Sequence, residues 1–88
     1  RYESARRAET RCLQAMHERR WDDARGHAED WVRLRPEVAE AWLARAEVAR
    51  QRKDWAVTEE SLARIPRSDD RYLRAQALRA DLALDGLR

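Results

Sequence analysis

The sequence predicts an all-α protein made of antiparallel helical hairpins. Small and apolar residues recur at helical spacing along nearly all of the 88 residues, and no segment alternates with the period of two that marks a strand. The composition is rich in Ala, Arg, Glu and Leu and includes only two Gly and two Pro, which favours helices. Because short connections force neighbouring helices to run antiparallel, about five helices are expected to follow one another as hairpins.

The first hairpin is expected to join a helix over 5–18 to a helix over 22–34. Each helix gathers small and apolar residues on one face. Pro36 disfavours helical backbone at Arg35, so the second helix should end at Leu34. The two apolar faces consist of Ala8, Cys12, Ala15 and Met16 in the first helix and Ala24, Ala28, Trp31 and Leu34 in the second.

Three further helices are expected over 36–52, 54–64 and 69–85. A proline can open the first turn of the third helix, and a second proline closes the fourth. A Ser-Asp-Asp start signal precedes the fifth helix, and Gly86 is a stop signal after it. The apolar positions are Trp42, Leu43, Ala46 and Ala49, then Leu62 and Ile65, then Leu73, Ala77, Leu78, Leu82 and Leu84.

Size and composition limit the classes of protein that fit. A chain of 88 residues forms one small domain with a modest core. Charged residues make up 41% and the mean hydropathy is -0.98, and no apolar run approaches the ~20 residues that span a bilayer. Basic and acidic residues alternate along the chain and the net charge is only +2, unlike the one-sided basic patch typical of nucleic-acid binders. The single cysteine excludes an intrachain disulfide.

The chain aligns with itself when it is shifted so that Trp21 falls on Trp55, and a charged cluster precedes both tryptophans. We call this spacing the repeat interval. Small, aromatic and apolar positions recur in the same order, which predicts an internal repeat. Other matched pairs are Ala5 with Ala39, Arg11 with Arg45, Cys12 with Ala46, Ala15 with Ala49, Ala28 with Leu62, and Trp31 with Ile65.

This pattern resembles the tetratricopeptide repeat family, whose unit is two antiparallel helices in about 34 residues. The resemblance implies a short right-handed solenoid within one domain over 1–88, with repeats over 5–36 and 37–67 and an additional or capping helix over 69–86. The family motif of the first helix is matched by Ala8, Cys12 and Ala15 in one unit and by Trp42, Ala46 and Ala49 in the next. The family turn is matched by Arg19-Arg20-Trp21 with Ala24 and by Lys53-Asp54-Trp55 with Thr58. The proline that closes a unit is matched by Pro36.

The repeats depart from the family pattern at three points. Arg19 and Lys53 stand where the family has a turn glycine, Thr58 replaces the usual alanine, and Pro66 closes the second unit about a turn early. Trp21 and Trp55 are expected to fill the gaps between hairpins. The expected structural core is Ala8, Cys12, Ala15, Trp21, Ala24, Ala28, Trp31, Trp42, Ala46, Ala49, Trp55, Leu62 and Ile65.

The resemblance also implies a binding surface, because the first helices of successive repeats in this family line a concave groove that takes peptides or partner helices. The positions at which some members clamp a terminal carboxylate hold Glu9, Leu13 and Ala44 here, so that clamp is not expected. The expected groove residues are Arg6, Glu9, Thr10, Leu13, His17, Leu43, Glu47, Arg50, Gln51 and Arg74.

Residues with catalytic or metal-binding chemistry do not form a site in the sequence. Cys12 and His17 are five residues apart and lie on different faces of a helix. His17 and His27 lack the spacing of a zinc site, and there is no second cysteine. Adjacent acids, Asp22-Asp23 and Glu59-Glu60, point away from each other on a helix. We therefore expect no enzyme activity, no metal and no cofactor.

The expected function is that of a protein–protein interaction scaffold, which binds a peptide or partner protein through the groove or by self-association. Self-association would use the leucine-rich fifth helix with Leu78, Leu82, Leu84 and Leu87. One alternative is nucleic-acid or polyanion binding by an arginine-rich face. The other is a recognition or regulatory arm of an enzyme whose catalytic part lies elsewhere. The arginine-rich face would include Arg6, Arg7, Arg11, Arg71, Arg74 and Arg79.

The first residue is Arg and not Met, so we expect the sequence to be a piece of a longer, bacterial-type protein. No signal peptide is apparent, and a cytoplasmic location is expected. Targeting signals elsewhere in the longer protein are left open by this sequence. We expect the protein not to bind a membrane.

Overall fold

Five helices account for most of the chain in the computed structural model, which describes the backbone of residues 2–86 and the side chains of residues 3–80. No strand occurs within these described residues. The all-α prediction is therefore confirmed for this part of the chain. The helices are α1 (Tyr2–His17), α2 (Trp21–Leu34), α3 (Ala39–Gln51), α4 (Trp55–Ala63) and α5 (Tyr72–Gly86).

The helices pack mainly against their neighbours in sequence. We call α1 with α2 the first hairpin and α3 with α4 the second hairpin. Helix α3 packs chiefly on α2 and α4 and only lightly on α1, and α5 packs on α4. The arrangement leaves the outer face of α1 open and joins the two hairpins through α2 and α3.

The starts of α3 and α5 lie three residues later than the sequence predicts. Pro36 occupies a β-turn that is closed by a hydrogen bond from Val38 N to Arg35 O of 3.1 Å. Val38 then has an extended backbone, and α3 begins at Ala39. Before α5, the Asp69 carboxylate accepts a hydrogen bond of 2.8 Å from Arg71 N and supports a turn instead of a helical start.

Small side chains allow close contact within each hairpin. Cys12, Ala24, Ala28, Ala41 and Ala46 are all 0% exposed. Helices approach to 8–10 Å only where the facing side chains permit it. The same core is completed by larger side chains, among which Trp31, Trp42, Val48, Leu62 and Ile65 are buried.

The two hairpin turns have the same backbone geometry. Arg20 N donates to Ala15 O, and Asp54 N donates to Ala49 O, in both cases at 2.8 Å. The residue before each donor has a positive φ, 60° at Arg19 and 61° at Lys53. This hydrogen-bond pattern with a left-handed residue is the Schellman ending of a helix. The turns therefore recur at the repeat interval in backbone as well as in sequence.

Trp21 and Trp55 differ from expectation, since both are only partly buried. Each is the first residue of its helix, directly after the turn, so its ring lies at the end of the hairpin. Trp31 lies in the last turn of α2 and is 2% exposed. The deepest aromatic burial thus belongs to Trp31, and Trp21 and Trp55 cover the edge of the core.

Candidate functional site

Helix α1 presents an exposed stripe to solvent. Arg6, Thr10, Leu13 and His17 are exposed, and their spacing of four, three and four places them on one face of the helix. Leu13 is 40% exposed, and it is a large apolar side chain of the kind that is usually buried. Glu9 lies beside this stripe and is partly buried. These five residues are the part of the predicted groove that α1 supplies.

The predicted groove residues of α3 are less accessible. Leu43 is 7% exposed and belongs to the same buried cluster as Ala75 of α5. The expectation that Leu43 lines an open groove is therefore wrong for this structure, because its side chain is part of the core. Glu47 and Arg50 are partly buried, and Gln51 is exposed.

An ion pair between α3 and α5 joins two predicted groove residues, and a second ion pair links α3 to the residue before α5. Arg74 Nη2 lies 2.5 Å from Glu47 Oε1, and Arg71 Nη2 lies 3.3 Å from Glu40 Oε2. These pairs offset the charges of the acids on α3. Arg74 consequently contributes to the junction between two helices.

A cleft of about 420 Å³ opens at one end of the exposed stripe, between the N-terminal half of α1 and the start of α3. We call it the α1/α3 cleft. Trp31 and Val38 supply apolar surface, and two arginines and two glutamates supply both signs of charge. Its lining residues are Arg6, Glu9, Trp31, Arg35, Val38 and Glu40.

Sequence reasoning identified two lining residues of the cleft, Arg6 and Glu9, and missed the others as site residues. Arg35 and Val38 belong to the connection between α2 and α3, and Glu40 is in the first turn of α3. The connection is ordered by Trp42, whose Nε1 donates a hydrogen bond of 2.8 Å to Pro36 O. Pro36 in a tight connection was the available signal, since it positions the residues on either side of it.

An ion pair also fixes the rim of the connection. Arg35 Nε lies 2.5 Å from Glu37 Oε2. The hydrogen bond from Arg35 lowers the pKa of the Glu37 carboxyl below its usual range. Arg35 therefore faces the cleft as part of a charged pair and not as an isolated cation.

Arg45 joins the hairpins, and sequence reasoning did not assign it to a site. Its side chain is 13% exposed, and its Nε lies 2.6 Å from Glu29 Oε1 on α2. Its Nη1 donates to Ser61 Oγ at 3.0 Å, and its guanidinium lies 5.7 Å from the centre of the Trp42 ring. The match of Arg11 with Arg45 in the internal alignment was the signal that could have identified it.

Cys12 has the environment of a packed side chain. It is 0% exposed, and its Sγ lies 3.8 Å from Met16 Sδ and 3.9 Å from Ala24 O. Burial raises the pKa of its thiol from 9.0 to about 11. The thiolate that acts as a nucleophile is therefore scarce at neutral pH. Within the residues that the structure describes, no group of three or more His, Cys, Asp or Glu could hold a metal ion.

None of the described helices has both the length and the apolar character needed to cross a membrane. The leucines at 82, 84 and 87, which were expected to form part of a docking face, have side chains outside the described residues. No family model, no curated protein and no solved structure matches this chain.

Proposed function

We propose that the protein is a protein–protein interaction module of the tetratricopeptide-like type, and that the α1/α3 cleft binds a short segment of a partner protein. One observation carries the proposal. A cleft of about 420 Å³ has apolar surface from the partly buried Val38 and, to a small extent, from Trp31, which is 2% exposed, and it has both signs of charge around it. An apolar centre with a polar rim is the usual organisation of a protein interface.

The open face of α1 extends this proposed binding surface. Leu13 is 40% exposed and lies on the same helix face as Arg6, which lines the cleft. A partner segment that places an apolar side chain against Val38 can continue along Thr10 and Leu13. The charges of Arg6 and Glu9 would then select flanking residues of the opposite sign on that segment.

The repetition of backbone geometry supports the tetratricopeptide-like part of the proposal. The left-handed residues Arg19 and Lys53 are separated by the repeat interval and are followed by equivalent hydrogen bonds of 2.8 Å. A stack of equivalent hairpins places their first helices side by side. In the family that the sequence resembles, those helices line the binding surface.

Selection from a displayed library of random peptides, followed by affinity measurements on the full chain, tests the proposal. Leu13→Ser and Arg6→Glu are each expected to lower the affinity for the selected peptides about tenfold, since each removes an exposed contact without opening the core. Leu73→Ser is the matched control, because Leu73 is 80% exposed on α5 and lies outside the cleft lining. Peptides that bind all three variants as tightly as the parent would contradict the proposed site.

The salt dependence of binding separates this function from polyanion binding. Arg20, Arg33, Arg35, Arg45, Arg52, Arg71, Arg74 and Arg79 each lie within ion-pair distance of a carboxylate. Their fields are therefore offset locally, which favours a partner with mixed polarity. The affinity for a protein segment in the cleft should fall little between about 50 and 200 mM salt. The affinity for a nucleic acid with 6–10 phosphate contacts should fall by a factor of roughly 10³–10⁵ over the same range.

A further inference from the structure

Three arginines recur at the repeat interval, Arg11 on α1, Arg45 on α3 and Arg79 on α5. Arg45 forms an ion pair of 2.6 Å with Glu29 on the preceding helix, α2. Arg79 forms an ion pair with Glu59 on its preceding helix, α4. In both cases an arginine of one helix binds a glutamate of the helix before it. The two pairs share the position of the arginine, whereas Glu29 and Glu59 are not equivalent at the repeat interval.

The glutamates of these two pairs have similar neighbours. Val32 follows Glu29 by three residues, and Leu62 follows Glu59 by three residues. Val32 is 6% exposed and Leu62 is 2% exposed. Each preceding helix therefore offers a glutamate for the arginine and an apolar side chain for the core, one turn apart on the same face.

Arg11 has the same position in its hairpin but no carboxylate partner among the residues that the structure describes. It lines an exposed cavity of about 320 Å³ between α1 and α2 together with Arg7, His27 and Arg33. Arg33 binds Asp30 at 2.9 Å, so these two charges offset each other and Arg7 and Arg11 remain. We call this surface the Arg11 face. It carries an excess of positive charge.

The position of His27 supports the equivalence of Arg11 and Arg45. His27 aligns with Ser61 at the repeat interval, as Arg11 aligns with Arg45. Arg45 donates a hydrogen bond to Ser61 Oγ at 3.0 Å, and Arg11 and His27 line one cavity. Both arginines therefore extend along the corresponding part of the second helix of their own hairpins.

One difference between the hairpins leaves room on the Arg11 face. Ala8 lines the cavity at the position where the second hairpin has Trp42. In the second hairpin the Trp42 ring lies beneath the guanidinium of Arg45. The first hairpin has only a methyl group there, and a large apolar side chain from outside can occupy the space.

We propose that the Arg11 face docks an amphipathic α-helix of the α2 type. This partner helix carries a glutamate that binds Arg11 and, three residues later, an apolar side chain that packs over Ala8. Its net charge is negative, in keeping with the positive charge of Arg7 beside Arg11 in the cavity. The proposal concerns a surface distinct from the α1/α3 cleft and does not depend on the function proposed for that cleft.

The α2 segment of this chain is the probe for the test. A peptide with residues 21–34, stapled on its solvent side to hold it helical and labelled with fluorescein, is titrated with the full chain and followed by anisotropy. Saturable binding is expected. Arg11→Ala should weaken binding at least fivefold and Arg11→Glu more strongly, because charge reversal adds repulsion. Arg67→Ala, which removes an exposed arginine from the loop before α5, should leave the affinity unchanged.

A double-mutant cycle identifies the pair that is formed. Glu29→Gln in the peptide should weaken binding to the parent chain at least fivefold and should have little further effect on the Arg11→Ala chain. This outcome would assign the peptide glutamate to Arg11. Equal losses for the Glu29→Gln peptide on both chains would overturn that assignment.

Three other outcomes would overturn the proposal. The first is an absence of saturable binding. The second is binding that Arg45→Ala removes and Arg11→Ala does not, since the peptide would then have displaced α2 from its own site. The third is a dimer of the chain alone, seen by sedimentation and abolished by Arg11→Glu, because the occupant would then be a second copy.

Discussion

The two hairpins share a backbone turn and differ in the side chains around it. In both, a left-handed residue precedes a donor that binds five residues back, at 2.8 Å. In the first hairpin that donor is Arg20, which makes no side-chain cap, whereas in the second it is Asp54, which accepts from Val57 N at 3.3 Å. The turn geometry therefore does not depend on a particular capping residue.

The hairpins also differ in how they fill the contact between their two helices. The first has Cys12 on its first helix and Ala24 on its second. The second hairpin has the reverse distribution of size, with Ala46 and then Thr58 at the equivalent positions. All four are 0% exposed. A larger residue on one helix is thus accompanied by alanine on the other, which preserves the volume between them.

Two buried hydroxyl groups of the second hairpin, those of Thr58 and Ser61, are hydrogen-bonded. Thr58 Oγ1 donates to Asp54 O, and Ser61 Oγ donates to Val57 O, each at 2.8 Å. Both acceptors are backbone carbonyls one turn earlier on the same helix or its cap. Thr58 therefore stands in place of Ala24, and Ser61 in place of His27, at little cost in hydrogen bonding.

The largest effect is expected for Trp31→Ala, which should lower the free energy of unfolding by about 3–5 kcal/mol. Trp31 is 2% exposed, and its loss opens a cavity in the core. Trp21→Ala and Trp55→Ala should cost less, about 1–2 kcal/mol, because both rings are already partly in water. Urea denaturation followed by circular dichroism measures all three. Equal losses of unfolding free energy for Trp21→Ala and Trp31→Ala would contradict the difference in burial between the hairpin end and the core.

Alkaline pH should act on the first hairpin through Cys12. Burial raises the pKa of its thiol from the ordinary value of 9.0 to about 11 in the folded chain, so the unfolded thiol ionises first. The stability from this group is complete below pH 9 and falls as the pH rises toward 11, by about 2 kcal/mol. Cys12→Ala places in the first hairpin the alanine that the second hairpin has at the equivalent position, Ala46, and should remove this pH-dependent loss of stability. Unfolding of both proteins between pH 8 and about 11 separates it from the titration of other groups; parallel curves would contradict it.

Exchanging the larger and smaller residues of the two hairpins should show whether a volume change on one helix is compensated by the facing helix. Ala24→Thr alone should cost about 1–3 kcal/mol, because the site beside Cys12 is closely packed. With Cys12→Ala in the same chain, the pair becomes the alanine–threonine pair of the second hairpin, and part of the loss should be recovered. A double-mutant cycle measures the coupling. Strict additivity of the two changes would mean that the pairs are not equivalent in packing.

The sequence was sufficient for the order of the helices and for the turns within the two hairpins, because both depend on local spacing, but not for the turns that precede α3 and α5. The interval between Trp21 and Trp55 located two turns of equal geometry. It did not show how deeply those rings are buried, since depth depends on where the neighbouring hairpin lies. Only the folded chain shows that Trp31 is deeper than either.

The cleft was less accessible to sequence reasoning for a related reason. Arg6 and Glu9 have helical periodicity, whereas Arg35 and Val38 lie in a connection whose path depends on the turn at Pro36. The burial of Leu43 depends on α5, which follows a run of turns and could not be oriented from its own pattern. Non-local packing thus decided both the lining and the extent of the site.

The cap of the second turn should contribute a moderate amount. Asp54→Ala is expected to lower the free energy of unfolding by about 1 kcal/mol, because Val57 N loses its acceptor. Arg20→Ser introduces a capping side chain into the first turn and should raise stability by roughly half as much. Thermal unfolding of the two variants makes the comparison. No loss for Asp54→Ala would indicate that water replaces the carboxylate without cost.

The smallest expected effect concerns the feature that the two hairpins share most closely. Arg19 and Lys53 have φ of 60° and 61°, a conformation that costs a residue with a side chain about 1–2 kcal/mol. Glycine avoids this cost but gains freedom in the unfolded chain, so Arg19→Gly and Lys53→Gly should each stabilise by about 0.5–1 kcal/mol. The double variant should give the sum, because the sites are separate turns. Arg52→Gly is the control, since Arg52 has φ of -87° and glycine brings it no relief of strain. If Arg52→Gly stabilises the protein as much as Lys53→Gly, the effect comes from composition and not from the left-handed backbone. If glycine stabilises the protein at only one of the two turns, the hairpins differ in strain despite their common hydrogen bonds.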